Sequence, residues 1–359
     1  MRFQRDGRRH ALTGSAIAAL LILALAVSGV SFDAGASTRH TRKKAVSTSN
    51  HLVVGYADPT AAIADLAAIG AGITARAKRL GVKVVTLDDQ LTVSKQVSDI
   101  KTLISEHVNG IITFPLSTQA IAPAVAEARK AGIPVVGIGS LGATELTFKR
   151  SATSFNSVVS QGDVPNGKLE GRAFARAMHY TGDFVVLNIA LPAPAPRYEV
   201  HEVAKWALKT HPKMHQLGQE FNTTTNEVGG VKAMDEAITR WGHKIKGVIA
   251  YNDYTAEGAA IAIKRNHLAH IPIFGHNGDP TSVTAIKDGD ITAVATIRPW
   301  LDGATAMNLL DRLMKGTRDV PVVTTVPTIL YTKANIGKRL TWAKADREIA
   351  SGSIKGKRA

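Results

Sequence analysis

Residues 51–330 alternate between short apolar runs with strand character and longer amphipathic runs with helical spacing, and this alternation restricts the fold more than any other feature of the chain. The runs KVVTL at 83–87 and PVVGI at 134–138 each follow a helical run that ends at a glycine. Strands that alternate with helices at this spacing predict parallel sheets covered by helices. The alternation stops between residues 139 and 167 and then resumes, which predicts an α/β protein with two similar lobes.

The amino terminus has the composition of an export signal. A positive start is followed by an unbroken apolar or small run at 16–27 and by a small-x-small cleavage pattern at 34–36. We favour secretion with cleavage after residue 36. An uncleaved anchor stays open because the flanked run at 14–30 nearly reaches the lower limit of about 17 residues for a membrane span. A twin-arginine signal at Arg8-Arg9 is the other alternative.

The chain has no cysteine, so it uses neither disulfides nor a lipidated cysteine, and its stability must come from burial. The formal net charge is +15, but most of it is terminal: residues 37–50 carry +4 and residues 337–359 carry +5. We interpret both segments as solvated, disordered ends. Adhesion to an anionic envelope surface is the alternative. Nucleic-acid binding is not expected, because no basic stretch is interleaved with aromatic residues.

Ligands of open parallel sheets bind beyond the carboxyl ends of the strands. Applied to the predicted strands, this rule selects a set of polar or turn residues: Asp58, Asp88, Pro115, Ser140, Asn252, Asn277 and Arg298. Asn252-Asp253 is the best of these signals, since an amide and a carboxylate at a strand end can bond to ligand hydroxyls. Helix capping by Asp253 is the alternative role.

Two further residues near the last predicted strands have open roles. Arg298 is either a bidentate donor to a ligand or a salt-bridge partner. Trp300 either lines a cleft or fills the core.

No catalytic, metal or cofactor site is predicted. Gly137, Gly139 and Gly142 match G-x-G-x-x-G after a strand, but the residues that follow do not read as a helix, so a dinucleotide site is not expected. The histidine pairs at 211/215 and 267/270 have no third ligand nearby. Nucleophile-elbow, zinc-protease and P-loop motifs are absent, and the chain is expected not to be an enzyme.

Residues 52–330 resemble a type I periplasmic binding protein, the ribose- and galactose-type sugar receptor of ABC importers. The resemblance rests on stretches that occur in the family's order: LGVKVVTLD (80–88), NGIITFPLST (109–118), EARKAGIPVVGIG (127–139), GVIAYNDYTAEGAAIAI (247–263), IPIFGHNG (271–278), IKDGDITAVATI (286–297) and LLDRLMKG (309–316).

The resemblance implies two Rossmann-like lobes joined by a hinge of three crossings. We expect an N-terminal lobe at 51–155 and 298–326 and a C-terminal lobe at 156–297 and 327–336, after a leader at 1–36 and a linker at 37–50. In the family the Asn-Asp pair binds sugar hydroxyls, and Asn252 and Asp253 occupy that place. Asn277 stands where the family usually has Asp, and Arg197 is the nearest match to a sugar-binding arginine.

The chain also departs from the family. The first-lobe loop, which usually carries stacking aromatics, reads ADPTAAIADL at 57–66 with none. Gly139-Ser140 replaces the usual Asp-Arg. Weaker ring stacking, together with Arg197 and Arg298, suggests a ligand with negative charge, such as a sugar acid.

The expected function is therefore that of an exported, monomeric substrate-binding protein that delivers a small polar solute, presumed to be a carbohydrate, to an ABC permease. A receptor of the same fold that serves a membrane sensor is the first alternative, and an exported α/β hydrolase is the second. The fold also occurs in lactose-repressor-type transcription factors. Those begin with a DNA-binding helix-turn-helix, where this chain has its export signal.

Overall fold

The computed structural model describes residues 52–139, 154–190, 195–209, 211–268, 270–353 and 355. All of them fall within one compact unit, Asn50–Ala359. The predicted leader at 1–36 and linker at 37–50 lie outside the described residues. In the described ranges, no helix is both long and apolar enough to cross a membrane.

Six parallel strands form the first sheet. They are β1 (Val53–Asp58), β2 (Lys83–Asp88), β3 (Gly110–Thr113), β4 (Val135–Gly139), β5 (Ser157–Ser160) and β11 (Val323–Thr325). Their order across the sheet is β11-β5-β4-β3-β1-β2. The central strands β3, β4 and β5 are buried along their whole length, as expected for strands covered by helices on both faces.

The second sheet repeats this plan. Its strands are β6 (Gly182–Ile189), β7 (Met214–Asn222), β8 (Ile245–Ala250), β9 (Ile273–Asn277), β10 (Ala293–Thr296) and β12 (Ile329–Thr332). Their order is β12-β10-β9-β8-β6-β7, and β12 alone among these described strands runs antiparallel to its neighbour.

Ten helices of the described chain cover the two sheets. Those packed on the first sheet are α1 (Ala64–Leu80), α2 (Val93–Ser105), α3 (Thr118–Lys130) and α9 (Pro299–Met314), with α10 (Trp342–Ser351) outside them. Those packed on the second sheet are α4 (Asp163–Ala177), α5 (Ala195–Leu208), α6 (Glu227–Trp241), α7 (Asp253–Arg265) and α8 (Ser282–Asp288). We call each sheet with its helices the first and the second lobe.

The chain changes sheet after β5, between β10 and α9, and between β11 and β12. The first of these changes comes later than the sequence suggested. Residues 157–160 (SVVS) were assigned to the second lobe, but they pair with β4 and with β11. The polar ends of this short segment hide it from a search for apolar runs, and only its position between two strands makes it part of the sheet.

The prediction of a disordered basic end at 337–359 is wrong for residues 342–351, which form α10. Trp342, Ala345 and Ile349 are buried on one face of this helix. Thr341 caps its start by accepting a hydrogen bond from the Lys344 N–H at 3.3 Å. The basic side chains occupy the outer face, so the net charge conceals an amphipathic helix.

Helices α1 and α9 pack with backbone against backbone. A Cβ on Gly72 would lie 2.1 Å from the Trp300 carbonyl oxygen, and one on Gly303 would lie 2.1 Å from the Ile69 carbonyl oxygen. Only glycine permits this separation at both places. Trp300 itself is buried beside Trp342. Of the two alternatives, lining a cleft or filling the core, the structure therefore supports the core.

Candidate functional site

Polar side chains lie at the carboxyl ends of the parallel strands in both sheets. On the first sheet, Asp58 ends β1 and Asp88 ends β2. On the second sheet, Asn277 ends β9 and Thr296 ends β10, while Asn252 follows β8. Because ligands of open parallel sheets bind beyond these ends, we place the candidate site here.

Asp58 is a buried acceptor at the end of β1. Burial raises the pKa of its carboxyl to about 6, and the neighbouring Tyr56 opposes this shift while the charge of Asp88 adds to it. Burial, followed by the charge of Asp58, also raises the pKa of the Tyr56 hydroxyl. Water competes poorly for such a carboxylate, so hydroxyl donors of a ligand would bind it strongly.

Asp88, which the rule for strand ends selected, and its neighbour Asp89 differ in environment and in role. Asp88 is exposed and accepts a hydrogen bond from the Gln90 N–H at 2.9 Å. Asp89 is fully buried and accepts a hydrogen bond from Gln96 Nε2 at 2.6 Å. Gln96 Nε2 also donates to the Phe114 carbonyl at 3.0 Å, so Asp89 holds two loops of the first lobe together.

Asp65, which the sequence analysis did not select, interacts across the two lobes. It lies in the first turn of α1. Burial raises the pKa of its carboxyl to about 6, whereas its own N–H, the Leu66 N–H and the charge of His276 act to lower it. His276 belongs to β9, so a charge of the second lobe acts on this carboxyl of the first lobe. A carboxylate in a first helical turn is usually explained by the helix dipole, which is why its position gave no signal.

Asn252 and Asp253 both hold the start of α7. Asn252 Oδ1 accepts a hydrogen bond from the Thr255 N–H at 2.9 Å and therefore caps the helix. Asp253 is fully buried, and its Oδ2 accepts a hydrogen bond from the Asp279 N–H at 2.5 Å. Burial and then the charge of Asp279 raise the pKa of Asp253 well above its ordinary value. The capping residue is thus Asn252, not Asp253 as the sequence suggested.

The loop after β9 has an unusual backbone and a buried acid. Asn277 and Gly278 both have positive φ angles, of 99° and 79°. A Cβ on Gly278 would lie 2.1 Å from Thr296 Oγ1, so only glycine fits. Burial raises the pKa of Asp279 to about 8; the charges of Asp65 and Glu257 add to this shift, and Arg339 opposes it.

A buried His–Glu pair supports the same loop. His276 Nδ1 lies 3.6 Å from Glu170 Oε1, and both side chains are 4% exposed. Glu170 lies on α4 and His276 on β9, so the pair connects the first helix of the second lobe to the strand that carries Asn277. Neither residue was selected from the sequence, since nothing in their spacing pairs them.

Arg298 lies at the second crossing between the sheets, with φ of 53° and a half-buried side chain. Burial lowers the pKa of its guanidinium, and the nearby charges of Asp302 and Tyr331 oppose this. Asp302 is fully buried and accepts a hydrogen bond from Gln161 Nε2, 3.5 Å away, at the first crossing. Burial raises the pKa of Asp302 well above its ordinary value, whereas the Gln161 hydrogen bond and the charge of Arg298 act to lower it.

Two predicted site residues are not characterised in this structure. Ser140 lies outside the described residues. Arg197 falls in the first turn of α5, with its side chain outside the described part. Of the glycine motif, Gly137 and Gly139 lie in β4, where they leave room for the rings of Phe155 and Phe114.

Other candidate sites have little support in the described residues. No group of three or more His, Cys, Asp or Glu side chains there could hold a metal ion. His215 of the first histidine pair is exposed, and its Nδ1 lies 3.2 Å from Asp183. A cavity of about 630 Å³ lined by Arg129, Pro134 and Asn156 lies at the amino end of the first sheet, away from the strand ends described above.

Comparison with known proteins connects this geometry to a family. The model of the periplasmic binding protein domain matches residues 59–318. The ribose import binding protein RbsB of Bacillus subtilis is 28% identical over 253 residues, which are 69% of this chain and 76% of that protein. The D-apiose import binding protein of Paraburkholderia graminis is 28% identical over 268 residues, 74% of this chain and 82% of that protein.

Solved structures confirm the predicted two-lobed fold. A periplasmic solute binding protein of an ABC transporter from Actinobacillus succinogenes, with bound D-allose, superposes with a TM-score of 0.72. It is 18% identical, and the match covers 80% of this chain and 100% of that one. At this identity the likeness shows the fold alone.

Proposed function

Because this chain belongs to the periplasmic binding protein family, we propose that it is the exported substrate-binding protein of an ABC importer and captures a small polyhydroxylated solute between its lobes. The single observation that carries the proposal is that polar side chains stand at the carboxyl ends of parallel strands in both lobes, Asp58 in the first and Asn277 in the second. The charge of Asp65 in the first lobe also raises the pKa of Asp279 in the second. The relatives that import ribose and D-apiose support the carbohydrate class.

We infer that hydroxyl groups, not negative charges, are the main recognition elements of the ligand. The candidate site carries the acids Asp58 at the end of β1, Asp65 in α1 and Asp279 in the loop after β9. They accept hydrogen bonds or repel anions according to their protonation. The guanidinium of Arg298 is half-buried beside the crossings, where burial lowers its pKa and thus disfavours its charged form. This argument replaces the sequence-based suggestion of an acidic ligand.

Binding would proceed by closure of the two lobes on the solute. Asp58 and Asp65 supply acceptors from the first lobe, and Asn277 with Asn252 supplies amide groups from the second. Only the closed arrangement completes this hydrogen-bond set, so the ligand stabilises that arrangement in proportion to its preference for it. The closed form then docks on a permease and releases its solute.

Thermal and chemical stability of residues 37–359 against a ligand panel tests the proposal. The panel holds neutral pentoses and hexoses, sugar alcohols, sugar acids and sugar phosphates. A ligand at 100 times its dissociation constant should add about 2.7 kcal/mol to the free energy of unfolding. We expect the stabilising compounds to be neutral. Stabilisation by acids alone would contradict the inference from the strand-end acids, and no stabilisation by any compound would contradict the carbohydrate class.

A turnover assay separates this function from catalysis. Each stabilising compound is incubated with pure protein and then quantified by chromatography. Saturable binding with full recovery of the compound is the expected result, whereas its conversion would favour the exported hydrolase.

A further inference from the structure

The carboxy-terminal segment passes from the second lobe back to the first. After β12, a 3-10 turn at Ile336–Lys338 places Ile336 in the core of the second lobe. The next helix, α10, packs against α1 and α9 of the first lobe. The segment therefore adds a connection to the three crossings, and it lies beyond residue 318, where the family match ends.

Arg339 attaches this segment to the candidate site. Its Nη2 donates a hydrogen bond to the Gly278 carbonyl oxygen in the loop after β9. Its side chain is half-buried, and burial lowers the pKa of its guanidinium, while the charges of Asp253, Tyr331 and Asp279 oppose this shift. Arg339 is thus the cation that faces the buried acids of the second lobe.

Trp342 and the rest of α10 attach the segment to the first lobe. Trp342 is 9% exposed and packs with Ala68 of α1 and with Trp300 and Ala304 of α9. At the far end of the helix, Asn308 of α9 donates a hydrogen bond to the Lys355 carbonyl. The first lobe therefore holds α10 at both ends.

The length of chain between these attachments limits movement of the lobes. From Ile336 to Trp342 there are six residue steps, which could extend to about 20 Å. From Arg339 to Trp342 there are three steps, which reach only about 10 Å. The Arg339 contact therefore gives the second lobe a second attachment that lies closer in the chain to Trp342 than Ile336 does. Separation of the lobes that extends this stretch must strain or break the contact before it disturbs the buried Trp342.

We propose that residues 339–342 form an interlobe strap, in which Arg339 is a positioning residue that holds the Asn277–Asp279 loop and stabilises the arrangement with the lobes together. The strap connects the geometry of the binding loop to the angle between the lobes. Its existence does not depend on which solute binds.

Distances between spin labels test the strap without any ligand. Because the chain has no cysteine, labels can be placed solely at Lys101→Cys on α2 and Lys232→Cys on α6, both exposed. Pulsed electron–electron double resonance then gives the distribution of distances between the two labels, both with Arg339 present and in the Arg339→Ala background. Loss of a charge-assisted hydrogen bond should shift the ratio of near to separated lobes by about tenfold toward separation.

Matched variants separate positioning from general damage. Lys338→Ala removes an exposed neighbour of the same charge and should leave the distribution unchanged. Arg339→Lys keeps a charged donor and should restore most of the near population. Insertion of Gly-Ser-Gly-Ser after Arg339 keeps both attachments but restores slack, and it should shift the population in the same direction as Arg339→Ala.

An unchanged distance distribution in both Arg339→Ala and the insertion variant would overturn the proposal. If Arg339→Ala does not fold, which its circular dichroism would reveal, the insertion variant alone decides. An equal shift in Lys338→Ala would also overturn the proposal, because it would assign the effect to net charge.

Discussion

Replacement of the buried acid Asp279 by its amide (Asp279→Asn) should stabilise the protein at neutral pH. The side chain is 1% exposed, and neither carboxylate oxygen has a hydrogen-bond partner among the described residues. Burial raises the pKa from 3.8 to about 8, with the charges of Asp65 and Glu257 adding to the shift and Arg339 opposing it. An asparagine has nearly the same shape and is neutral at every pH.

The size of the effect follows from the pKa in the two states. Because the folded-state pKa of Asp279 lies above its unfolded value, the folded protein binds the extra proton, and its stability falls as the pH rises from about 4 to 8. Each pH unit in this window lowers the free energy of unfolding by up to about 1.4 kcal/mol, which amounts to about 4 kcal/mol between the unfolded pKa and pH 7. Because the charge of Asp65 contributes to the shift of Asp279, and that of Asp279 to the shift of Asp253, we expect Asp279→Asn to gain about 2–4 kcal/mol at pH 7 and almost nothing at pH 4.

Urea unfolding of both proteins at pH 4, 5, 6, 7 and 8, followed by tryptophan fluorescence, measures this difference. The chain has four tryptophans, and two of them, Trp300 and Trp342, are buried. Asp288→Asn, at an exposed position at the end of α8, is the matched control and should show no such rise with pH. A stability difference for Asp279→Asn that is the same at pH 4 and pH 7, or that has the opposite sign at pH 7, would refute the reasoning.

Three further substitutions have expected results. Gly278→Ala should lower the free energy of unfolding by about 2–4 kcal/mol, because at this positive φ the added Cβ would overlap a threonine of β10. Gly289→Ala, which has a positive φ but open surroundings, should lower it by about 1–2 kcal/mol, and equal losses for the two variants in urea unfolding would contradict this. Trp342→Ala should lower the free energy of unfolding by about 3–5 kcal/mol, and Arg347→Ala, on the exposed face of the same helix, by less than about 0.5 kcal/mol. Thermal melts measure both, and equal losses would argue against burial as the cause. Asn252→Ala removes the cap of α7 and should lower the free energy of unfolding by about 1 kcal/mol, whereas Asn252→Asp keeps a capping oxygen and should retain most of it. Equal losses for both variants in urea unfolding at pH 7 would mean that Asn252 does not contribute through capping.

Most of the fold is readable from the sequence because burial on one helix face leaves a periodic signal. The alternation over residues 51–330 predicted helices between the strands, and α6 at Glu227–Trp241 between β7 and β8 is one of them. The predicted stop of α1 at Gly81 is also confirmed, since Gly81 has φ of 70° and its N–H donates to the Ala77 carbonyl. Helix α10 was missed although Trp342, Ala345 and Ile349 have helical spacing, because terminal basic charge dominated the interpretation.

The site was less readable, because its interactions join residues that are far apart in the chain. The rule for strand ends placed Asp58 and Asn277 correctly at the carboxyl ends of strands. It could not find Asp65 or Arg339, which lie on a helix and in a terminal segment and reach the site only through the arrangement of the lobes. Local patterns also cannot show that Arg298 is half-buried near the fully buried Asp302.

The glycine contacts between α1 and α9 determine which parts of the first lobe can rotate independently. Helix α9 begins at a crossing, and Asp65 lies in the first turn of α1, so the backbone contacts at Gly72 and Gly303 join that crossing to the helix that carries Asp65. No side chains lie between the two helices at these points to act as a compliant layer. The two helices should therefore move as one rigid body. A rotation at the crossings then displaces Asp65 in proportion to its distance from the rotation axis.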